Sequence, residues 1–117
     1  MNTDSVHAYL MAKKGATEEY PFDAETPVYK VMGKTFALLA PKQRPLRMTL
    51  KCDPDHALIL RDMYPAVIPG YYMNKRHWNT IVLDGTIAND EIEEMIDESY
   101  DLVVKGLTRA ARESLNR

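Results

Sequence analysis

The stretch Leu46–Cys52 reads Leu-Arg-Met-Thr-Leu-Lys-Cys, and its side chains alternate between apolar and polar at every step. Residues two apart in a β-strand point to the same side of the sheet. The four apolar residues therefore share one side, and the polar residues Arg47, Thr49 and Lys51 share the other. This alternation predicts a strand of an antiparallel sheet, with one face on a hydrophobic core and the other in water.

Three more segments predict strands of the same sheet. Residues 28–32 and 35–39 are largely apolar and are separated by Gly33-Lys34, which is typical of a hairpin turn. Residues 78–84 carry the next run of β-branched and aromatic side chains. Just before this run, Pro65, Pro69 and Gly70 predict a break in regular structure.

Two helices are predicted on the amino-terminal side of this break. Residues 3–13 carry apolar side chains at helical spacing, and Thr3 or Ser5 is expected to cap their start. A second helix is expected from Pro54 to Met63, because proline fits the first helical turn and Asp53 can cap it. We expect its buried side to consist of Ala57, Leu58, Leu60 and Met63.

The carboxyl-terminal part predicts a long helix and a short one. Asn89 is a suitable cap, several carboxylates follow in the first turns, and Gly106 is expected to end the long helix. Thr108 is expected to start the short helix, which runs to Leu115. Residues 1–117 thus predict a single α+β domain, an antiparallel sheet covered on one face by amino- and carboxyl-terminal helices.

The composition limits the class of protein. The chain has 117 residues, 45% of them apolar and 27% charged, which fits one ordinary globular domain. A single cysteine, Cys52, cannot form an internal disulfide. The start of the chain does not have the pattern of a secretory leader, and no apolar run approaches the ~20 residues of a membrane span. We expect a cytoplasmic monomer without a membrane partner.

The charge is distributed unevenly along the chain. The formal net charge is -2, yet residues 28–80 hold nine basic and three acidic side chains, a sum of +6. Residues 1–27 sum to -3 and residues 81–117 to -5. Because salt screens charges beyond about 8–10 Å, a local basic patch steers ligands more than the net charge does.

A basic and aromatic cluster is the main candidate site. Lys75, Arg76 and His77 directly precede the only tryptophan, Trp78, and more cations lie in or just before the alternating strand. If the two strands are neighbours, these cations form one surface for a polyanion. We expect phosphate contacts from Lys42, Arg44, Arg47, Lys75 and Arg76. We expect contacts to bases or sugars from Tyr72, His77 and Asn79.

Other interpretations of these residues stay open. Trp78 can fill the core, with the cations only keeping the sheet in water. An exposed patch of Tyr71, Tyr72 and Trp78 would indicate a protein-interaction module. A deep pocket lined by Tyr72, His77 and Asn79 would indicate a small-molecule site.

The sequence predicts no catalytic residue, cofactor or metal site. Gly33-Lys34-Thr35 resembles the end of a phosphate-binding loop, but position 28 is valine where that motif needs glycine. Cys52 and His56 are four residues apart, yet Cys52 belongs to the apolar side of its strand, where a thiol is inert. The acidic rows of residues 90–101 are expected to form a solvated helix face.

Several segments resemble the MmcQ/YjbR family of small bacterial proteins. The resemblance spans nearly the whole chain and is most specific in the run Asn-Lys-Arg-His-Trp-Asn-Thr at residues 74–80. It is supported by residues 30–37, 51–54, 64–67 and 99–104. The resemblance implies a frataxin-like (CyaY-like) α-β-α fold and a DNA-binding role. Together with the basic segment, it predicts weak, salt-sensitive, non-catalytic DNA binding with little sequence preference.

Overall fold

A computed structural model describes residues 1–70 and 73–117, which form four helices and six strands. The helices are α1 (Thr3–Met11), α2 (Pro54–Met63), α3 (Asn89–Lys105) and α4 (Arg109–Leu115). The strands are β1 (Ala16–Glu19), β2 (Val28–Val31), β3 (Lys34–Ala40), β4 (Arg47–Lys51), β5 (Val67–Pro69) and β6 (Trp78–Val82). None of the helices in these described ranges is long and apolar enough to cross a bilayer.

The strands form one sheet in the order β1-β2-β3-β4-β6-β5, and every neighbouring pair is antiparallel. The alternating strand lies near the middle as β4, where Met48 and Leu50 are buried and Arg47 is exposed. The predicted α+β class and the strand at β4 are therefore confirmed. The chain connects β4 to β6 through α2 and the short edge strand β5.

The hydrophobic core lies between the helices and one face of the sheet. Met48 and Leu50 of β4 pack in one cluster with Ile96 and Val103 of α3. The opposite side of the sheet, which we call the open face, is defined by Leu38, Arg47, Thr49, Lys51, Trp78 and Thr80. Within the described parts of the chain, no helix lies on the open face. A smaller apolar cluster there contains Val28, Leu38 and Trp78, with Met73 against it.

A buried hydroxyl connects α3 to two strands. The pairing of β2 with β3 shifts register beside Phe36. The Oγ of Ser99 donates a hydrogen bond to the Phe36 carbonyl (2.6 Å) and accepts one from the Lys51 amide (2.8 Å). Ser99 is fully buried. Its hydroxyl thus satisfies two backbone groups that the strand ladder leaves unpaired.

The predicted caps of α2 and α4 are confirmed. Asp53 accepts hydrogen bonds from the amides of Asp55 and His56, and Thr108 accepts one from Ala111. The cap of α1 differs from the prediction, because Asn2 is the cap and Ser5 completes a reciprocal capping box with it.

The start of α3 also differs from the prediction. Ala88, which has no capping side chain, precedes the helix. Asn89 instead accepts a hydrogen bond from the amino terminus of Met1 at 3.2 Å. Its side chain therefore joins two distant parts of the chain.

The structure corrects the predicted buried side of α2 and adds two strands. Ala57 and Leu60 are buried, whereas Leu58 and Met63 are 61% and 59% exposed. Ala57 and Leu60 are three positions apart and share the side of α2 that faces the sheet. Leu58 and Met63 lie outside that side and are turned to solvent. The added strands β1 and β5 are both edge strands. Pro69 fits in β5 because an edge strand leaves one side of its backbone without a ladder partner.

Candidate functional site on the open face

The open face is built by the register of β4 and β6. Lys51 lies opposite Trp78, and Thr49 lies opposite Thr80. The Oγ1 atoms of the two threonines are 2.9 Å apart and share a hydrogen bond. The two strands on which the predicted basic surface depends are thus direct neighbours. Their polar side chains point to the same side.

Two cations, Arg47 and Lys51, lie on this face, and two more, Lys75 and Arg76, lie in the loop that leads into β6. Arg47, Lys75 and Arg76 are exposed, and Lys51 is half-buried. None of the ion pairs formed within the described ranges includes any of the four. Among the described residues, no carboxylate therefore neutralises these four cations through an ion pair.

The other two predicted phosphate contacts have local partners. Lys42 Nζ lies 2.6 Å from Glu25 Oε1, so a phosphate would compete with a carboxylate for this cation. Arg44 donates to the backbone carbonyls of Pro41 and Gln43, which holds its guanidinium against its own loop. Both residues are exposed. We therefore expect Lys42 and Arg44 to contribute less to the binding of a polyanion than the four cations above.

The cations extend along the strand rather than meeting at one point. Arg47 begins β4, close to the loop that carries Lys42 and Arg44, and Lys51 ends the strand. Four residues of β-strand span about 13 Å. Because β6 is antiparallel, the loop with Lys75 and Arg76 enters at the Lys51 end. The arrangement suits an extended anion better than a single phosphate.

A groove of about 380 Å³ lies at the Arg47 end of the open face. Its lining includes apolar Leu38 and Met73, the hydroxyls of Thr49 and Thr80, and Arg47. A volume of this size falls in the range of small-molecule sites, which start near 300 Å³. His77 and Asn79 do not line it. The groove is therefore not the pocket expected for the small-molecule alternative, whose third residue, Tyr72, lies outside the described residues.

Asn79 corrects the predicted base contacts. Its side chain is 2% exposed and points to the helix-covered side of the sheet. Its Oδ1 accepts a hydrogen bond from Arg61 Nε at 2.7 Å, and its Nδ2 lies 3.4 Å from the Ala57 carbonyl. The amide is used inside the protein and does not belong to the open face.

Arg61 has a structural role that no pattern in the sequence predicts. Besides Asn79, its guanidinium donates to the carbonyls of Lys75 and Trp78. It therefore anchors the loop that presents Lys75 and Arg76. No spacing in the sequence relates residue 61 to residues 75–79. Only its place in the last turn of α2, beside β6, brings them together.

The remaining predicted residues are divided between the interior and the loop. Trp78 is 9% exposed and packs with Val28 and Leu38, so the interpretation that it fills an apolar cluster is the one the geometry favours. His77 is half-buried, and its carbonyl accepts a hydrogen bond from the Cys52 amide at 2.7 Å. Tyr71 and Tyr72 lie outside the described residues, so the tyrosine patch stays a prediction.

Cys52, His56 and Glu98 form a second cluster, which lies on the helix-covered side of the sheet just after the end of β4. Cys52 Sγ donates to Glu98 Oε2 at 3.0 Å, and His56 Nδ1 lies 2.5 Å from Glu98 Oε1. Burial, and then the hydrogen bond to Glu98, raise the pKa of the Cys52 thiol. The thiol is thus held protonated, which argues against the Cys52–His56 nucleophile considered from the sequence. Glu98 had no sequence signal that linked it to the other two.

The sequence comparisons agree with the fold. The profile of the YjbR family matches residues 11–102 of this chain. The uncharacterized protein YbdF of Escherichia coli O157:H7 is 36% identical over 90 residues, which cover 77% of this chain and 74% of YbdF. The uncharacterized protein YjbR of Escherichia coli K12 is 31% identical over 115 residues, 98% of each chain.

Solved structures extend the agreement to three dimensions. Deinococcus radiodurans protein DR2400, with domain DUF419, has a TM-score of 0.92 at 38% identity and covers 98% of this chain and 88% of its own. A Pseudomonas syringae protein has a TM-score of 0.76 at 28% identity and covers 87% of this chain and 98% of its own. None of these relatives is described by an activity or a ligand. On its sequence and its fold, the chain belongs to the YjbR family.

Proposed function

We propose that this protein binds single-stranded DNA on the open face of its sheet. The proposed role is binding without catalysis. The observation that carries the proposal is a set of cations that form no ion pair within the described ranges, with Arg47 and Lys51 on this face and Lys75 and Arg76 in the loop at its Lys51 end. Phosphate contacts of this kind supply most of the free energy of non-specific binding. This role belongs in the cytoplasm, the compartment expected from the sequence.

The shape of the open face favours a single strand over a duplex. Reading the major groove requires a helix or a two-stranded ribbon that fits into it, and the described part of the open face presents a broad sheet without a helix. A single strand instead lays its phosphates along a basic groove and turns its bases toward the protein. The groove beside Leu38, Met73 and Arg47 offers such a base an apolar wall and a cation, and Glu25, the carboxylate in its described lining, is paired with Lys42.

The same geometry predicts low affinity and little sequence preference. Direct readout needs amides or guanidinium groups aimed at base edges. Asn79 points to the helix-covered side, and Trp78 is on the open face but only 9% exposed and packed with Val28 and Leu38, so neither can read or stack on a base. The carboxylates of α3 lie on the other side of the molecule, where they repel nucleic acid and restrict binding to one face.

The proposal is tested by fluorescence anisotropy with a labelled single-stranded oligonucleotide across a range of salt concentrations. We expect a complex at low salt that weakens as salt rises. In the K75A/R76A variant, two phosphate contacts are lost. The salt slope should then flatten by about 0.7 for each contact removed.

The matched control is the R109A/R112A variant. It removes the same net charge from α4, where Arg109 already pairs with Glu113 at 3.1 Å. We expect it to bind like the unaltered protein. Equal losses in the two variants would show that only the net charge matters and would contradict a located site. No complex with single or double strands at low salt would refute the proposal.

A further inference from the structure

Three elements that are distant in sequence bring three different metal-ligating side chains to one point. Cys52 directly follows β4, His56 lies in the first turn of α2, and Glu98 lies in the middle of α3. Their Sγ, imidazole and carboxylate atoms all lie within 4.8 Å of one another. This group is the only such cluster of three among the residues that the structure describes.

The distances are close to those of a tetrahedral metal site. Bonds of 2.0–2.3 Å from zinc to N, O and S place the ligand atoms roughly 3.3–3.6 Å apart. Here Cys52 Sγ is 3.0 Å from Glu98 Oε2 and 3.7 Å from His56 Nδ1, and His56 Nδ1 is 2.5 Å from Glu98 Oε1. Displacements of about 1 Å or less in the side chains would admit an ion.

We propose that Cys52, His56 and Glu98 bind one Zn²⁺ ion, with a fourth position open to water. The combination of a thiolate, an imidazole and one carboxylate favours zinc over magnesium or calcium, which prefer sites built from oxygen atoms. On binding, the Cys52 thiol loses its proton to solvent, and His56 binds through Nδ1 as a neutral imidazole with its hydrogen on Nε2. The hydrogen bonds from Cys52 and His56 to Glu98 are then replaced by bonds from all three side chains to the metal.

The surroundings support the cluster as a site. The Asp53 amide donates to Glu98 Oε2 at 3.3 Å, and the Asp53 carboxylate accepts from the His56 amide. The first contact orients the Glu98 carboxylate, and the second caps α2, the helix that carries His56. Cys52 is 5% exposed, whereas the side chains of His56 and Glu98 are 44% and 28% exposed. An ion can thus enter from solvent past His56 and Glu98 and reach the buried thiol of Cys52.

A small cavity gives the ligands room to adjust. It measures about 10 Å³ and lies among Cys52, Glu98, Leu60 and Met95. That volume is about the space of one water molecule. The thiol and the carboxylate are therefore not locked by packing on every side, and the shifts that an ion requires do not force the core apart.

The test uses the purified full-length chain, reduced and stripped of metal, with Co²⁺ as a spectroscopic probe and Zn²⁺ as competitor. We expect one equivalent of Co²⁺ to produce a thiolate-to-cobalt charge-transfer band that Zn²⁺ abolishes. The C52S variant should lose the band. The H56Q and E98Q variants should bind at least about 10-fold more weakly, since even outer-shell changes cost 10- to 100-fold.

The E94Q variant is the matched control, because Glu94 is an exposed carboxylate of the same helix and belongs to no cluster of this kind. It should bind Co²⁺ like the unaltered protein. Circular dichroism confirms that each variant is folded, and C52A replaces C52S if the serine variant is not. Saturation with Co²⁺ without a thiolate band, or equal weakening in E94Q and E98Q, would overturn the proposal.

Discussion

At the scale of single residues, Ser99 shows how a polar side chain stabilises a core. Its hydroxyl is the partner of two buried backbone groups, at Phe36 and Lys51. A buried donor or acceptor without a partner costs about 1–3 kcal/mol. The helical spacing of α3 does not reveal the bonds that Ser99 makes to the two strands.

We predict that Ser99→Ala lowers the free energy of unfolding by about 2–3 kcal/mol, because two backbone groups lose their partner. The midpoint of urea unfolding should fall while its slope stays unchanged. Ser114→Ala is the control, since Ser114 is exposed on α4, and it should change stability by less than about 0.5 kcal/mol. A Ser99→Ala midpoint equal to that of the control would refute this role.

A second prediction concerns Tyr9, whose hydroxyl donates to Asp97 Oδ1 at 2.7 Å beside Lys13. Burial, and then the hydrogen bond to Asp97, raise the pKa of Tyr9 from 10.0 to about 12. Because the folded-state pKa is the higher one, the stability that this proton contributes is fully present below pH 10. It is lost as the pH rises toward 12.

Ultraviolet absorbance measures this ionisation directly. The spectrum of the unaltered protein minus that of Tyr9→Phe should titrate near pH 12 rather than near pH 10. In Asp97→Asn the pKa of Tyr9 should move back toward 10, although burial remains. A difference that titrates near pH 10 in the unaltered protein would show that the contact with Asp97 does not form in solution.

At the scale of elements, the sequence predicts those parts whose pattern is long and unbroken. β4 alternates over its full length, and α3 keeps its helical spacing to Gly106, so both are found close to their expected bounds. β1 reads Ala-Thr-Glu-Glu and β5 reads Val-Ile-Pro. Neither sequence alternates clearly between apolar and polar side chains. These edge strands form because they pair with a neighbouring strand, and a short sequence does not show that pairing.

The pairing of β5 with β6 leads to a prediction at Gly70. A Cβ atom on this residue would lie 2.8 Å from Trp78 Cβ and 2.9 Å from the Trp78 carbonyl oxygen. The Gly70 amide also donates to that carbonyl at 2.8 Å. Gly70→Ala should therefore push the two strands apart and lower the melting temperature, at a cost of about 1–3 kcal/mol.

Gly106→Ala is the control for this substitution. Gly106 has helical geometry, and an added Cβ would meet only the carbonyls of Leu102 and Val103 at 3.6 Å. Its replacement should stabilise the protein by about 0.4–1 kcal/mol, because alanine has fewer unfolded conformations to lose. If Gly70→Ala has the same sign, the close approach of Gly70 to Trp78 is not a constraint.

At the scale of the whole molecule, the fold separates charges that are mixed in the sequence. The basic middle of the chain supplies the open face, and the acidic carboxyl-terminal part supplies α3 on the other side. The segment charges indicated such a separation. They could not show that Asn79 points inward or that Glu98 meets Cys52 and His56, because those contacts depend on how β4, α2 and α3 converge.

The proposed binding of nucleic acid on the open face can be located residue by residue. The direct measurement is a map of amide chemical-shift changes in the unaltered protein during titration with a single-stranded DNA oligonucleotide at low salt. We predict shifts concentrated in β4, in β6 and in residues 73–77, which revert when salt is added. Shifts confined to α3 and α4, or no shifts at saturating oligonucleotide, would contradict the account.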